Sequence, residues 1–508
     1  MSIKNLATVY SAELEGVNAK LIEVEIDINV GIHSFNLVGL ADKALNEAKE
    51  RVNSAIKNSG VKPPNRENRK ITINLAPADV KKTGSQYDLA IALGYLLATK
   101  QMANFGTSDK IFVGELALDG RLRAVNGALS IAQMASERGF KYVFVPIENA
   151  NEASAISDIK IIPVKSLSEA IAILDGTKGA SSIALPVEKI IGAERAAIPD
   201  FSEIKGQHHA KRALMIAAAG GHNVLMSGPP GVGKSFLARA LGGILPELET
   251  EEAIEVTKIW SAAGLRPNGL IRERPFRAPH QTASTLALVG GGADPKPGEI
   301  SLAHRGVLFL DEIPEFQKSA VEALRQPMES GFIHLARAKS HFIFPAKFML
   351  VAAMNPCPCG YFGDLEKECK CAAYEVIRYQ KKISGPLLDR IDLQIKVGRI
   401  KVEELRKGEG EAEQSAAIKR VVERARAIQR ERAGKINSEM TSREIQEMAR
   451  FDRSAEKVLA TLDRSRLSPR GYYRLLKVAR TIADLEEKEG IGGEHLAEAF
   501  SYRLKEEL

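Results

Sequence analysis

Residues Asn223–Leu241 read "NVLMSGPPGVGKSFLARAL", and this stretch decides the fold. An apolar strand, Val224 to Met226, runs into Gly228-Pro229-Pro230-Gly231-Val232-Gly233-Lys234-Ser235, and a helical pattern follows. That is G-x-x-x-x-G-K-[ST] between strand and helix, the phosphate-binding loop of the P-loop nucleotide hydrolases. Its glycines let backbone N–H groups approach phosphates, Lys234 neutralises the β- and γ-phosphates, and the Ser235 hydroxyl ligates Mg²⁺. The expected nucleotide is ATP. A chance glycine turn would lack the flanking strand and helix.

"GVLFLDEIPEF" (306–316) supplies the other half of such a site. Val307 to Leu310 reads as a short buried strand ending in two carboxylates. Asp311 is expected to hold the Mg²⁺ shell and Glu312 to polarise the attacking water. A third apolar run, "FMLVAAMN", ends at Asn355, where an amide can orient that water. In "GPLLDRIDLQI", Arg390 stands between Asp389 and Asp392. It is either an arginine finger or one half of an ion pair, and spacing does not separate the two.

The chain's four cysteines all lie in "MNPCPCGYFGDLEKECKC" (354–371), directly after the third strand. Cys357, Cys359, Cys369 and Cys371 follow C-x-C, nine residues, C-x-C. Four thiolates in one loop can close around Zn²⁺ with no open position, which makes the site structural and not catalytic. Free buried thiols and redox pairs are the alternatives. The N-terminus lacks a signal-peptide core, and the longest apolar run, "LAIALGYLLA" (89–98), is too short to span a bilayer, so no membrane role and a cytoplasmic location are expected. Thiols stay reduced there, against a disulfide reading.

Around this centre the 508 residues divide into blocks. Residues 1–175 alternate strand-like runs with helical ones, an α/β pattern. Residues 176–201 read as a linker, 202–400 as a second α/β block, and 401–508 as charged helices. The fold class is thus α/β multidomain. Composition, 44% hydrophobic and 27% charged, is that of a globular protein. A net charge of +7 permits nucleic-acid binding without requiring it.

Five further stretches carry a resemblance: "IKGQHHAKRALMIAAAGGHNVLMSGPPGVGKS", "RPFRAPHQTAS", "LVGGGADPKPGEISLAHRGVLFLDEIPEF", "VAAMNPCPCGYFGD" and "RYQKKISGPLLDRIDLQI", with "LSPRGYYRLLKVARTIADL" near the end. Together they resemble the magnesium-chelatase-like AAA+ ATPases of the YifB/ComM family, over almost the whole chain. The resemblance implies an AAA+ core with a helical lid (the sensor-2 domain) at 401–508. It implies Asn355 as sensor 1, Arg390 as the arginine finger, Arg470 of "SPRG" as the sensor-2 arginine, and Ile204, Gly206 and Gln207 near the adenine. It also implies a ring of identical subunits, a hexamer, because an arginine finger acts on a neighbour's nucleotide, and it points to zinc in the cysteine loop. The family's usual His-His pair after "RPFRAP" is here His280-Gln281.

By the same resemblance residues 1–175 are Lon-protease-like. The register of "APADVKKTGSQYDLAIAL" puts Gln86 at the nucleophilic serine, with Ser85 one residue off. "VGELALDGRLRAVNGAL" puts Leu129 at the catalytic lysine. A Ser–Lys dyad is therefore not expected. For cargo, "GFIHLARAKSHFIFP" (331–345) alternates like a hairpin with Arg337 and Lys339 near its tip, which suits a DNA backbone threaded through a pore. A lysine guarding a sheet edge would look the same. The expected activity is an ATP-driven DNA helicase or branch-migration translocase. The alternative is a protein-remodelling ATPase.

Overall fold

The structure is a computed structural model that describes residues 5–39, 43–66, 68–179, 198–292, 295–337, 340–364, 366–400, 414–462 and 467–503. Residues 180–197 of the expected linker lie outside the described residues, as does Lys339. The chain forms two compact units, Met1–Gly192 with Glu249–Arg272, and Ala193–Leu248 with Glu273–Leu508.

The first unit is built on a mixed seven-stranded sheet. Its strands are β1 (Leu6–Glu15), β2 (Asn18–Val30), β3 (Ser34–Val38), β4 (Arg69–Ala76), β5 (Lys110–Phe112), β8 (Tyr142–Pro146) and β9 (Lys160–Val164), in the order β3-β4-β2-β1-β5-β8-β9. Between β5 and β8, the two-residue strands β6 (Glu115–Leu116) and β7 (Leu122–Arg123) pair with each other. Alternation in "KLIEVEIDI" sends Ile22, Val24, Ile26 and Ile28 to the core. The apolar run 89–98, open to strand or helix as a pattern, is the helix Asp88–Ala98 and is buried nearly all round. A strand of that length would leave half of these side chains on the other face.

The first unit also takes in a segment that the sequence blocks assign to the ATPase domain. The helix Thr250–Ala262 packs there because its polar groups have partners there. Ser261 Oγ accepts from Gly127 N at 2.8 Å, and Lys258 Nζ donates to Asn18 Oδ1 at 3.1 Å. Buried Glu152 accepts from Leu129 N at 3.0 Å. Burial pushes that carboxyl up to about 7.

The second unit is a five-stranded parallel sheet of β10 (Val224–Ser227), β11 (Phe276–Arg277), β14 (Val307–Leu310), β17 (Met349–Met354) and β18 (Leu393–Lys396), in the order β11-β14-β17-β10-β18. All four pairings are parallel. β14 and β17 are buried at every residue, hence their unbroken apolar runs. Two antiparallel pairs stand outside this sheet: β12 (Gly290–Gly291) with β13 (Lys296–Pro297), and β15 (Phe332–Arg337) with β16 (Ser340–Pro345). The expected hairpin is thus β15–β16, and the side chain of Arg337 lies outside the described ones.

The C-terminal helices share one apolar core with this sheet. Ile418, Val422, Leu475, Ile482 and Leu496 pack with Val224, Val351 and Ile395. The helices are pinned by buried charge. Arg426 donates to Ala218 O at 2.9 and 2.7 Å, and Arg432 makes two 2.7 Å bonds to Asp484. Breaking one partner of such a buried pair costs roughly 3–5 kcal/mol.

Candidate nucleotide site and its cysteine loop

The phosphate loop leaves the C-terminal end of β10, where open parallel sheets bind ligands. Gly228 cannot be larger, since a Cβ there would stand 2.1 Å from Val397 O. Gly228 N donates to Met354 O at 3.2 Å, which ties the loop to the end of β17. The helix Lys234–Ile244 then begins, with its first N–H groups toward the loop.

Four sequence-derived residues meet here. Lys234 Nζ donates to Gly228 O at 2.6 Å, Pro229 O at 2.9 Å and Asn355 Oδ1 at 3.0 Å. Ser235 Oγ donates to Asp311 Oδ2 at 2.5 Å. Burial lowers the pKa of the Lys234 amine, against the pull of Asp311 and Glu312. Glu312 is exposed just past β14 and has φ +50, a left-handed conformation that costs a non-glycine residue about 1–3 kcal/mol. Such strain concentrates at functional turns. Ile204 is buried, and Gln207 Nε2 donates to Gly398 O at 2.7 Å, past the same end of β18.

The two candidate arginines lie elsewhere. The Arg390 carbonyl accepts from Asn223 Nδ2 at 3.0 Å, and Asn223 precedes β10, whereas the phosphate loop follows it. Four strand residues separate those ends, about 13 Å at ~3.3 Å per residue. Arg390 is 5% exposed, donates to Glu329 Oε1 at 2.5 Å and also bonds Pro386 O. Arg470 donates to the same Glu329 oxygen. Against desolvation, the two guanidinium groups hold the Glu329 carboxyl below the usual range. The ion pair read from "DRID" is therefore with neither neighbour in sequence: Asp392 bonds Arg474 at 2.6 Å instead. Nothing in "QPMESGF" marks Glu329 as the common partner.

The four cysteines converge. Their sulfurs lie within 4.8 Å of one another, with Cys357–Cys359 at 3.3 Å, Cys359–Cys369 at 3.6 Å and Cys357–Cys369 at 3.7 Å. Four sulfurs each about 2.3 Å from one zinc ion would lie about 3.8 Å apart. A backbone N–H also points at one of the sulfurs. Phe362 N lies 3.3 Å from Cys357 Sγ. This donor set fits a thiolate-bound cation. The loop rests on the phosphate loop itself: a Cβ on Gly360 would meet Pro230 Cδ at 2.7 Å.

In the first unit, the Ser85 hydroxyl donates to Glu115, an acid. Gln86 Nε2 donates to Glu13 at 3.0 Å, where Thr83 N also bonds at 3.1 Å. Leu129 is buried. Lys82, fully buried, bonds the Pro77 carbonyl.

A parallel sheet with this loop, these two carboxylates and this amide defines the P-loop nucleotide-hydrolase class of AAA+ type. The chain matches the families described as magnesium chelatase, subunit ChlI, over residues 200–405, subunit ChlI of Mg-chelatase over 24–149, and magnesium chelatase, subunit ChlI C-terminal, over 412–503. It is 44% identical over 507 residues to competence protein ComM of Haemophilus influenzae, covering 98% of this chain and 97% of that one. It is 43% identical over 506 residues to the uncharacterized protein YifB of Escherichia coli, covering 99% and 98%. The magnesium-chelatase 38 kDa subunit of Rhodobacter capsulatus is 28% identical over 349 residues, 62% of this chain and 90% of that one. The chain belongs to the magnesium-chelatase-like YifB/ComM family of AAA+ proteins. Among the described residues, no helix is long and apolar enough to cross a membrane.

Proposed function

We propose that the chain is an ATP-hydrolysing subunit of a homo-hexameric ring motor that acts on DNA in the cytoplasm. The observation that carries the ATPase reading is the meeting of Lys234, Ser235, Asp311 and Asn355 at the ends of three parallel strands. In this reading Lys234 and the loop N–H groups hold the β- and γ-phosphates, and Ser235 and Asp311 hold Mg²⁺. The metal supplies charge neutralisation along the bond that breaks. Asn355 orients a water, and Glu312 takes its proton as the water oxygen bonds the γ-phosphorus. The bond to the β-phosphate oxygen breaks, and ADP and phosphate leave. Ile204, Gly206 and Gln207 flank the adenine.

Arg390 and Arg470 serve the neighbouring subunit's nucleotide, as finger and sensor 2. Their shared carboxylate, at the far end of β18 from the chain's own loop, supports that division. The cysteine loop is a structural Zn²⁺ site. The first unit is a Lon-like domain without its dyad, used for binding or assembly. DNA is favoured as cargo by the basic, non-aromatic sequence at 336–339, and by the ComM relative's name, competence being the uptake of DNA. A protein-remodelling role is the second reading, favoured by the match to chelatase subunits.

Mixing two inactive variants tests the ring. Arg390→Ala should bind ATP and lose about 10³-fold or more of turnover, as a missing finger does. Lys234→Ala should fail to bind. Mixed rings contain sites with an intact loop and an intact neighbouring Arg390, so turnover should reappear. A mixture as inactive as its parts counts against action between subunits.

A further inference from the structure

Two cationic side chains from distant parts of the chain meet on one carboxylate oxygen. Arg390 and Arg470 both donate to Glu329 Oε1. Their attachments differ. Arg390 is anchored: its guanidinium also bonds Pro386 O, and its carbonyl accepts from Asn223 Nδ2 at 3.0 Å and from Arg474 Nη1 at 2.8 Å. The same Arg474 nitrogen bonds Asp392 Oδ1 at 2.6 Å, and Asp392 Oδ2 accepts from Asn223 N at 3.0 Å. Arg470 stands one turn before Arg474 on the helix Pro469–Leu485. Its side chain is 48% exposed, against 6% for that of Arg390. Glu329 thus ties a half-exposed cation to a buried, anchored one. It comes from the short helix Pro327–Ser330 and shares an element with neither arginine. Two guanidinium groups this close repel each other. One carboxylate between them offsets that repulsion and still leaves the group positive.

We propose that Glu329 is a positioning residue for hydrolysis at the neighbouring subunit's nucleotide: it gathers Arg390 and Arg470 and sets the exposed Arg470 against the anchored Arg390. The inference rests on the reading of both arginines as acting between subunits. Glu329 is an acid, so it acts through the arginines and not on a phosphate. With it in place, the neighbour's phosphates meet two cations already gathered. Without it, Arg470 loses its tie to Arg390, and its long side chain is ordered anew at each turnover. The chain's own phosphate loop keeps its partners, because Lys234 and Ser235 bond groups past the other end of β10. The signature is therefore a loss in kcat without a loss of nucleotide affinity, and the loss is felt in the neighbour.

The test uses the full-length chain with Glu329→Ala, Arg470→Ala and the double variant. Affinity for a fluorescent ATP analogue, kcat and KM are measured for each. Glu329→Ala should keep analogue affinity and KM, and lose between about tenfold and a hundredfold in kcat, the scale of a small misplacement. The two losses should not multiply in the double variant, because Glu329 acts through Arg470. Glu329→Ala is then mixed with Lys234→Ala. In mixed rings the first supplies an intact loop and the second supplies intact, gathered arginines, so turnover should rise well above that of either part. A Glu329 that only holds its own subunit together, or serves its own subunit's nucleotide, gives no such rise. If Glu329→Ala cannot bind the analogue, Glu329→Gln, which keeps the size and removes the charge, takes its place. A variant within twofold of the wild type, a rise in KM in place of the kcat loss, or losses that multiply overturns the proposal. So does a mixture that fails to recover while the Arg390→Ala mixture recovers. If the Arg390→Ala mixture also stays inactive, action between subunits is refuted first and the proposal falls with it. A wild type that neither binds nor turns over ATP removes the reading beneath both.

Discussion

Glu312→Gln should bind ATP as tightly as the wild type and lose about 10²–10⁴-fold of its turnover, the range for removal of a general base. The amide keeps the size and the hydrogen-bonding reach of the carboxylate but cannot accept the water's proton. Binding is preserved because Glu312 stands apart from the cradle: the partners of Lys234 are Gly228, Pro229 and Asn355, and the partner of Ser235 is Asp311. Its exposed position in a left-handed turn, past a strand buried at every residue, is the geometry expected of a group that meets water and substrate. Asp311→Asn should differ in kind, weakening the response to magnesium as well as turnover. Equilibrium binding and single-turnover hydrolysis by both variants check this. A Glu312→Gln variant that turns over at the wild-type rate assigns the base elsewhere.

The second large effect concerns the cysteine loop. Protein purified in metal-free buffers should carry one equivalent of zinc per chain, and stripping it should unfold the loop. Structural zinc contributes ~10 kcal/mol or more to short peptides, far beyond what a loop of 18 residues from Met354 to Cys371 gains from its own contacts. Because Gly360 lies on Pro230 and Gln380 of the next helix bonds Pro356 O beside Asn355, loss of the metal should reach the nucleotide site. Turnover should fall together with zinc content and return when zinc is restored. Elemental analysis beside thiol titration decides the matter. Four freely titrating thiols and a zinc content near zero would end the metal reading, whatever the sulfur geometry.

The parts of the site that were legible in the sequence are those made by contiguous residues. The phosphate loop, the Asp311–Glu312 pair and Asn355 each follow a buried parallel strand, which reads as an unbroken apolar run. The cysteines announced themselves by clustering. What stayed hidden was set by contacts between distant residues or by very short elements. β11 is only Phe276–Arg277, too short for any periodicity. Glu329 gathers Arg390 and Arg470 from 61 and 141 residues away. The helix Thr250–Ala262 gives no sign in its own pattern that Ser261 is wanted by Gly127. In the first unit, nothing in the sequence marks the capture of Gln86 by Glu13.

Steady-state ATP turnover with and without DNA, in the wild type and in an Arg337→Glu/Lys339→Glu variant, bears most directly on the claim that this ATPase moves DNA. DNA should raise wild-type turnover several-fold. The variant should keep its DNA-free rate, lose the stimulation, and show a log affinity against log salt slope shallower by roughly 0.7–0.9 for each lost phosphate contact. Equal wild-type rates with and without DNA, matched by the variant at every salt concentration, would contradict the DNA motor and favour a protein-remodelling ring.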